Sequence, residues 1–140
     1  MRAGLVLATL AGPVLLIVAD FTTLFEVRGP GYLHGVLGHA NHAFAMVVIG
    51  VVALGLAVAA LRVPTPVALG ALAVLGVVAG VIAVGFDLSD ATVKGTLSNF
   101  QQAQGTPRVG FYLETLGAAL LLVAGVGGIL LAAPARRVER

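Results

Sequence analysis

Four long runs of apolar residues constrain the fold of this chain more than any other feature. They cover about 3–20, 39–61, 67–86 and 110–133, and each is close to the roughly 20 residues that a helix needs to cross a bilayer. Only 10% of the 140 residues are charged, whereas a soluble domain carries about 25%. We therefore predict an all-α integral membrane protein, a four-transmembrane-helix bundle in a single membrane domain spanning residues 1–140.

The basic residues indicate how this bundle is oriented. Five lie on one side: Arg2, Arg62, Arg136, Arg137 and Arg140. Three lie on the other: Arg28, Lys94 and Arg108. The positive-inside rule places the first side, with both termini, in the cytoplasm. The expected location is a bacterial inner (plasma) membrane. The pI near 9.7 then reflects membrane topology, and no nucleic-acid partner is expected.

The two longer connections, about 21–38 and 87–109, are predicted to lie outside. Gly29-Pro30-Gly31 predicts a turn in the first, while residues 32–38 could be a helix extension or a loop. In the second, Ser89 is a candidate cap for a short amphipathic helix that reaches Gln104. The apolar stripe of that helix would be Val93, Leu97 and Phe100.

Small residues recur at helical spacing in three of the runs and predict faces where helices pack closely. They are Gly4, Ala8 and Gly12 in the first run, Gly76 and Gly80 in the third, and Ala124 and Gly128 in the fourth. Such pairs also arise by chance in a chain rich in Gly and Ala.

Three histidines, His34, His39 and His42, are close together in the sequence. Imidazoles bind metal ions well, so this cluster is a candidate metal site, with carboxylates such as those of Asp20, Glu26 and Asp87 as partners. The alternative is that these histidines are polar groups near the lipid headgroups. Haem is disfavoured because all three histidines lie on one segment.

Two acidic residues border or enter the apolar runs. Asp20 ends the first run, and Glu114 lies about one turn inside the fourth. An acid within a membrane span is by default a hypothesis of function. Arg108, Lys94 or a histidine would be its partner. The alternative is a structural role, in which Glu114 fixes the fourth helix against the second.

The sequence resembles small four-span membrane proteins of high-GC bacteria such as actinobacteria, which are uncharacterised. The resemblance rests on the Ala-, Gly-, Val- and Leu-rich runs, the turn Arg62-Val-Pro-Thr-Pro, and the stretch from Gly110 to Leu122. It implies the four-span fold and a type of host, and it implies no activity.

No motif predicts an enzyme. A phosphate-binding loop and a nucleophile elbow are missing from the sequence, and we expect neither catalysis nor a cofactor. The leading hypothesis is a non-catalytic subunit that docks onto a larger membrane complex or self-associates, with lipid and other membrane proteins as partners. The alternative is an outer-face protein that binds a metal or small ligand through His34, His39 and His42. An oligomeric pore fits the apolar runs least well.

Overall fold

The computed structural model describes residues 3–92, 94–96 and 102–132. Its elements, in chain order, are α1 (Ala3–Asp20), β1 (Thr23–Gly29), β2 (Tyr32–Leu37), α2 (Gly38–His42), α3 (Ala45–Arg62), α4 (Pro66–Val81), a π-helical segment (Ile82–Asp87), α5 (Leu88–Thr92), β3 (Lys94–Thr96), β4 (Gln102–Pro107) and α6 (Val109–Ala132).

Four helical stretches are long and apolar enough to cross a membrane, which confirms the predicted number of spanning helices. They are α1, α3, the continuous stretch Pro66–Thr92, and α6. The third has 27 residues because the π-helical segment and α5 continue α4 beyond the predicted end at 86. The Thr65 hydroxyl accepts a hydrogen bond from the Ala68 N–H and caps the start of α4.

The four long apolar helices form a bundle in which each packs against two neighbours. Helix α6 contacts α1 and α4, and α3 contacts the same two helices from the other side. The approach of α1 to α6 is very close, because a Cβ at Gly12 would lie 3.1 Å from the carbonyl oxygen of Gly117. Leu16, Leu72 and Leu121 are fully buried between the helices.

The predicted packing residues fall into two groups. In the first, Gly76 meets the backbone of α6, Gly128 meets the Leu69 side chain, and Gly12 faces Gly117. Ala8 and Ala124 are buried as well. In the second, among the described residues, a Cβ at Gly4 would meet nothing within 4 Å, and one at Gly80 would meet only Ala118, at 3.9 Å. The bundle itself therefore uses most of these small residues.

The all-α prediction was wrong for the connections at one end, which form a four-stranded antiparallel sheet of order β2-β1-β4-β3. Residues 32–37 are a strand, neither a helix extension nor a loop. The predicted amphipathic helix ends at Thr92, and strands follow within the range it was expected to cover. Its stripe residues, Val93, Leu97 and Phe100, lie outside the described residues.

One face of this sheet is fixed to the bundle by a small second core. Leu24, Phe25, Ala91 and Phe111 are its buried members. The Arg108 backbone N–H donates to the Leu24 carbonyl at 2.8 Å, which ties the start of α6 to β1. The sheet therefore covers the end of the bundle that contains the buried acidic residues Asp20, Asp87 and Glu114.

The second predicted span, 39–61, is divided in two. Helix α2 ends at His42, and α3 begins at Ala45. The two residues between them, Ala43 and Phe44, have φ angles of 50° and 65°. Left-handed backbone costs a non-glycine residue about 1 kcal/mol or more, so the break needs compensating contacts. Those contacts are made by His42, as described next.

Candidate metal site at the head of the bundle

Four ionisable side chains converge beneath the sheet, and we call them the head cluster: Asp20, His42, Asp87 and Glu114. Each comes from a different element. Asp20 ends α1, His42 ends α2, Asp87 ends the π-helical segment, and Glu114 lies near the start of α6. The three carboxylate residues have no exposed surface, and the His42 side chain is 8% exposed. The head cluster is therefore almost completely shielded from solvent.

His42 occupies the middle of the cluster. Its Nε2 lies 2.6 Å from Asp87 Oδ1, and its Nδ1 lies 3.7 Å from Asp20 Oδ1. The Asn41 amide also donates to Asp87 Oδ1, at 2.8 Å. These contacts hold α2 against the π-helical segment and offset the cost of the left-handed turn that follows His42. π-Helical turns are frequent at functional sites, and this one delivers Asp87.

Asp20 joins two other elements to the cluster. Its Oδ2 accepts a hydrogen bond from the Val47 N–H at 3.2 Å, in the first turn of α3, where backbone donors lack helical partners. The Asp20 carbonyl oxygen lies 3.0 Å from Nδ1 of His39. A Cβ at Gly38 would lie 2.7 Å from the Asp20 Cα. Glycine at 38 therefore lets the start of α2 approach the end of α1.

Five ligand atoms of the cluster are buried and, within the described part of the chain, receive no hydrogen bond from an N–H or hydroxyl group. They are Asp20 Oδ1, His42 Nδ1, Asp87 Oδ2, and both carboxylate oxygens of Glu114. Each buried polar atom left unpaired costs about 1–3 kcal/mol, and an ionised carboxylate costs more. Such a concentration at one place makes the cluster a candidate cation site, and a proton shared between the Glu114 and Asp87 carboxyl groups is the alternative way to satisfy part of it.

The electrostatics of the cluster point the same way. Burial lowers the pKa of His42, but the hydrogen bond and charge of Asp87, with the charges of Glu114 and Asp20, outweigh it and raise that pKa above its usual value. A protonated imidazole would supply one positive charge beside three carboxyl groups. The cluster therefore needs a further proton or a cation to become neutral.

The geometry suits a metal ion. One ligand atom each from His42, Asp87 and Glu114 lie within 4.8 Å of one another. Two ligands of a tetrahedral zinc ion, with bonds of about 2.1 Å, are roughly 3.4 Å apart. Shifts of about an ångström would bring the three ligands around one ion. Asp20 Oδ1 lies next to His42 Nδ1, on the other side of the imidazole ring from Nε2 and Asp87, so it would orient the imidazole and would not bind the same ion.

The three histidines of the sequence hypothesis have different surroundings. In the described part of the chain, His42 is the one histidine in a group of possible metal ligands. His39 stacks on Phe44, with ring centroids 5.1 Å apart, next to the head cluster. His34 lies on β2 opposite Val27 and is exposed.

The acidic residues also differ from their sequence-based placement. Of the partners considered for Glu114, His42 lies in its cluster, whereas Arg108 pairs with Glu26 on the sheet. Glu26 also pairs with Arg28 at 3.1 Å. The hydrogen bond from Arg108 lowers the pKa of Glu26 below its usual value. Asp87 was considered only as one possible partner of the histidines. In the structure its carboxylate contacts His42 and belongs to the same group of possible ligands as Glu114.

No protein-family model, curated protein or solved structure matches this chain. The fold and the site define a class only broadly: a mostly helical chain with four helices able to span a membrane and a buried cluster of metal-ligand side chains at one end.

Proposed function

We propose that this chain is a multi-pass membrane protein that binds one divalent transition-metal ion in the head cluster. The observation that carries this proposal is the set of unpartnered ligand atoms on Asp20, His42, Asp87 and Glu114. An acidic cluster alone would be weak support. Here Glu114 is fully buried next to the other ligands, and among the described residues no N–H or hydroxyl group donates a hydrogen bond to either of its oxygens.

The ligand set favours some metals over others. Calcium and magnesium prefer oxygen ligands alone, whereas one imidazole with carboxylates is typical of zinc, manganese or ferrous iron. The ion would offset the negative charge of the carboxylates and hold α2, α6 and the π-helical segment together at the head. Its role is then at least structural, and catalysis is no part of the proposal.

The decisive experiment measures metal in the purified protein. Detergent-purified chain is stripped with chelator, supplied with Zn²⁺ or Mn²⁺, separated from excess ion, and analysed by mass spectrometry for metal content. We expect one equivalent of ion per chain. Asp87→Asn should lose it, because an amide cannot supply the anionic oxygen. Asp90→Asn is the matched control, because Asp90 is an exposed acid three residues further on.

Thermal unfolding gives a second measurement on the same samples. At a free ion concentration about 100 times Kd, binding to the folded state adds about 2.7 kcal/mol to the free energy of unfolding. The melting temperature of the wild-type chain and of Asp90→Asn should rise with added ion, and that of Asp87→Asn should not. A wild-type chain that binds neither ion would overturn the proposal and would leave protons as the neutralising cations.

The orientation in the membrane is part of the same proposal. The excess of Arg on the side of the short α3–α4 turn supports cytoplasmic termini and a head outside a bacterial plasma membrane. The chain has no cysteine, so single cysteines can be introduced at exposed Leu33 and Val63. A membrane-impermeant maleimide should label intact cells that carry Leu33→Cys and leave Val63→Cys unlabelled. The reverse result would invert the topology.

The second candidate function is a non-catalytic subunit of a larger membrane complex or of a homo-oligomer. It is favoured by Gly4 and Gly80, the two predicted packing residues that the bundle leaves open or nearly so. Replacing both with Leu should release a partner or dissociate an oligomer without unfolding the chain. Native mass spectrometry of gently solubilised membranes measures both, and a monomer without partners in the wild type would exclude this function.

A further inference from the structure

A second site lies on the opposite side of the sheet from the head cluster. Strand β4 alternates between buried and exposed residues, so one face of the sheet covers the bundle and the other faces away from it. A groove of about 450 Å³ opens on the outer face. Its polar lining includes Arg28 from β1, Lys94 from β3, and Gln104 and Thr106 from β4.

The strand register brings the two cations into one row. Arg28 pairs with Gln104 across β1 and β4, and Lys94 pairs with the same Gln104 across β3 and β4. Directly paired residues share a face of the sheet, so Arg28 and Lys94 flank Gln104. With strands about 4.8 Å apart, two long side chains on either side of Gln104 can reach one ligand between them.

The charges on this face are unbalanced. Glu26 is shared by two guanidinium groups, those of Arg28 and Arg108. Lys94 takes part in neither of the ion pairs found on this face among the described residues. No carboxylate is among the residues that line the groove. Arg28 and Lys94 lie two strands apart with Gln104 between them, so an anion bound between them would be attracted by both charges.

We propose that this groove binds a phosphate group, held between Arg28 and Lys94 with the Gln104 amide and Thr106 hydroxyl as further donors. Arg28 donates its Nε and Nη2 to Glu26, so its remaining guanidinium N–H groups would donate to a phosphate oxygen, and the Lys94 ammonium adds a point charge. The same chemistry would recognise free phosphate or the phosphate of an anionic lipid headgroup. This site is independent of the metal site, because the two share no residue.

The test uses the full-length chain and distinguishes the two sources of phosphate. Isothermal titration calorimetry in neutral detergent measures binding of inorganic phosphate. Native mass spectrometry of the chain, released from nanodiscs that contain phosphatidylglycerol or only phosphatidylcholine, measures retention of the anionic lipid. Binding of phosphate supports a soluble ligand, and selective retention of phosphatidylglycerol supports a headgroup.

Substitutions in the groove test whether it is the site of this phosphate or lipid binding. In the double variant Arg28→Gln/Lys94→Gln, we expect affinity or lipid retention to fall by at least about tenfold, because charge-assisted hydrogen bonds are lost. Arg62→Gln, an exposed cation at the opposite end of the molecule, should leave binding unchanged. Circular dichroism checks that each variant folds. Absence of both kinds of binding in the wild type, or equal binding by the double variant, would overturn the proposal.

Discussion

The middle of the bundle and its head are built on opposite principles. In the middle, the buried residues are apolar or small, and Thr9, the buried polar residue there, donates to the Leu5 carbonyl of its own helix. At the head, three carboxylates and an imidazole are buried within a few ångströms of one another. The middle is stable through close backbone contact, whereas the head is costly to bury without a bound cation.

The largest effect should come from damage to the middle. A Cβ at Gly125 would lie 2.5 Å from the Ala73 backbone nitrogen, so Gly125→Val must push α6 away from α4. Overpacking costs 1–3 kcal/mol and sometimes more, and here the obstacle is rigid backbone. We expect the free energy of unfolding to fall by more than about 3 kcal/mol. Thermal unfolding, monitored by circular dichroism, should then show little folded protein.

The control for that prediction is Gly55→Val on α3, where a new Cβ would meet nothing within 4 Å. It should unfold close to the wild-type temperature. Equal damage by both substitutions would mean that a general cost of valine in these helices, and not close approach of α6 to α4, explains the result.

A substitution at the head should have the opposite sign. Glu114→Gln keeps the shape of the side chain and replaces a buried carboxyl group with a neutral amide. In the presence of chelator, we expect the variant to be more stable than the wild type by about 1–3 kcal/mol, because burying the carboxyl costs free energy whether it stays ionised or takes up a proton. With saturating metal the order should reverse. Thermal unfolding with and without chelator measures both.

Glu26→Gln is the matched control, because Glu26 is outside the head cluster and should not respond to metal. A purely structural role for Glu114 makes a different prediction. In that case Glu114→Gln would lower the melting temperature equally with and without metal.

The sequence predicts the middle and the head to very different extents. The four spans follow from runs of apolar residues, which are local patterns and need no knowledge of tertiary contacts. The head cluster uses residues 20, 42, 87 and 114, which lie on four elements and meet only after folding. Glu114 was recognisable as an acid inside a span, and His42 as one of three neighbouring histidines. Their combination with Asp87 had no signal in spacing.

The two parts of the sheet differ in how well their local sequence predicts them. The hairpin of β1 and β2 had a local signal, because Gly29-Pro30-Gly31 lies between two strand-like runs, and Gly31 does adopt a positive φ of 71°. Strand β4, by contrast, has the sequence Gln-Ala-Gln-Gly-Thr-Pro, which has low strand propensity. It is a strand because β1 offers it a free edge, and this tertiary effect is absent from any local pattern.

A smaller effect on stability is expected for glycine substitutions, with opposite signs in the turn that follows His42 and in helix α3. Ala43 is in the left-handed region, which glycine adopts without penalty. Ala43→Gly should therefore stabilise the chain by about 0.5–1 kcal/mol. Ala59→Gly, in the exposed interior of α3, should destabilise it by about 1 kcal/mol. Thermal unfolding in chelator compares the two, and a loss of stability in both would show that the turn is not strained.

The smallest expected effect concerns the ion pair on the outer face of the sheet. Arg108 lowers the pKa of Glu26 below 4.5, so the folded state favours the ionised carboxylate. The resulting stability is complete above the pKa of Glu26 in the unfolded chain and is lost as pH falls through its lower pKa in the folded chain. The wild type should therefore lose more stability than Glu26→Gln between neutral pH and a pH below 4.5. Because the two proteins differ only at position 26, the difference between their melting curves isolates Glu26. Equal losses would mean that the pair with Arg108 adds nothing to stability.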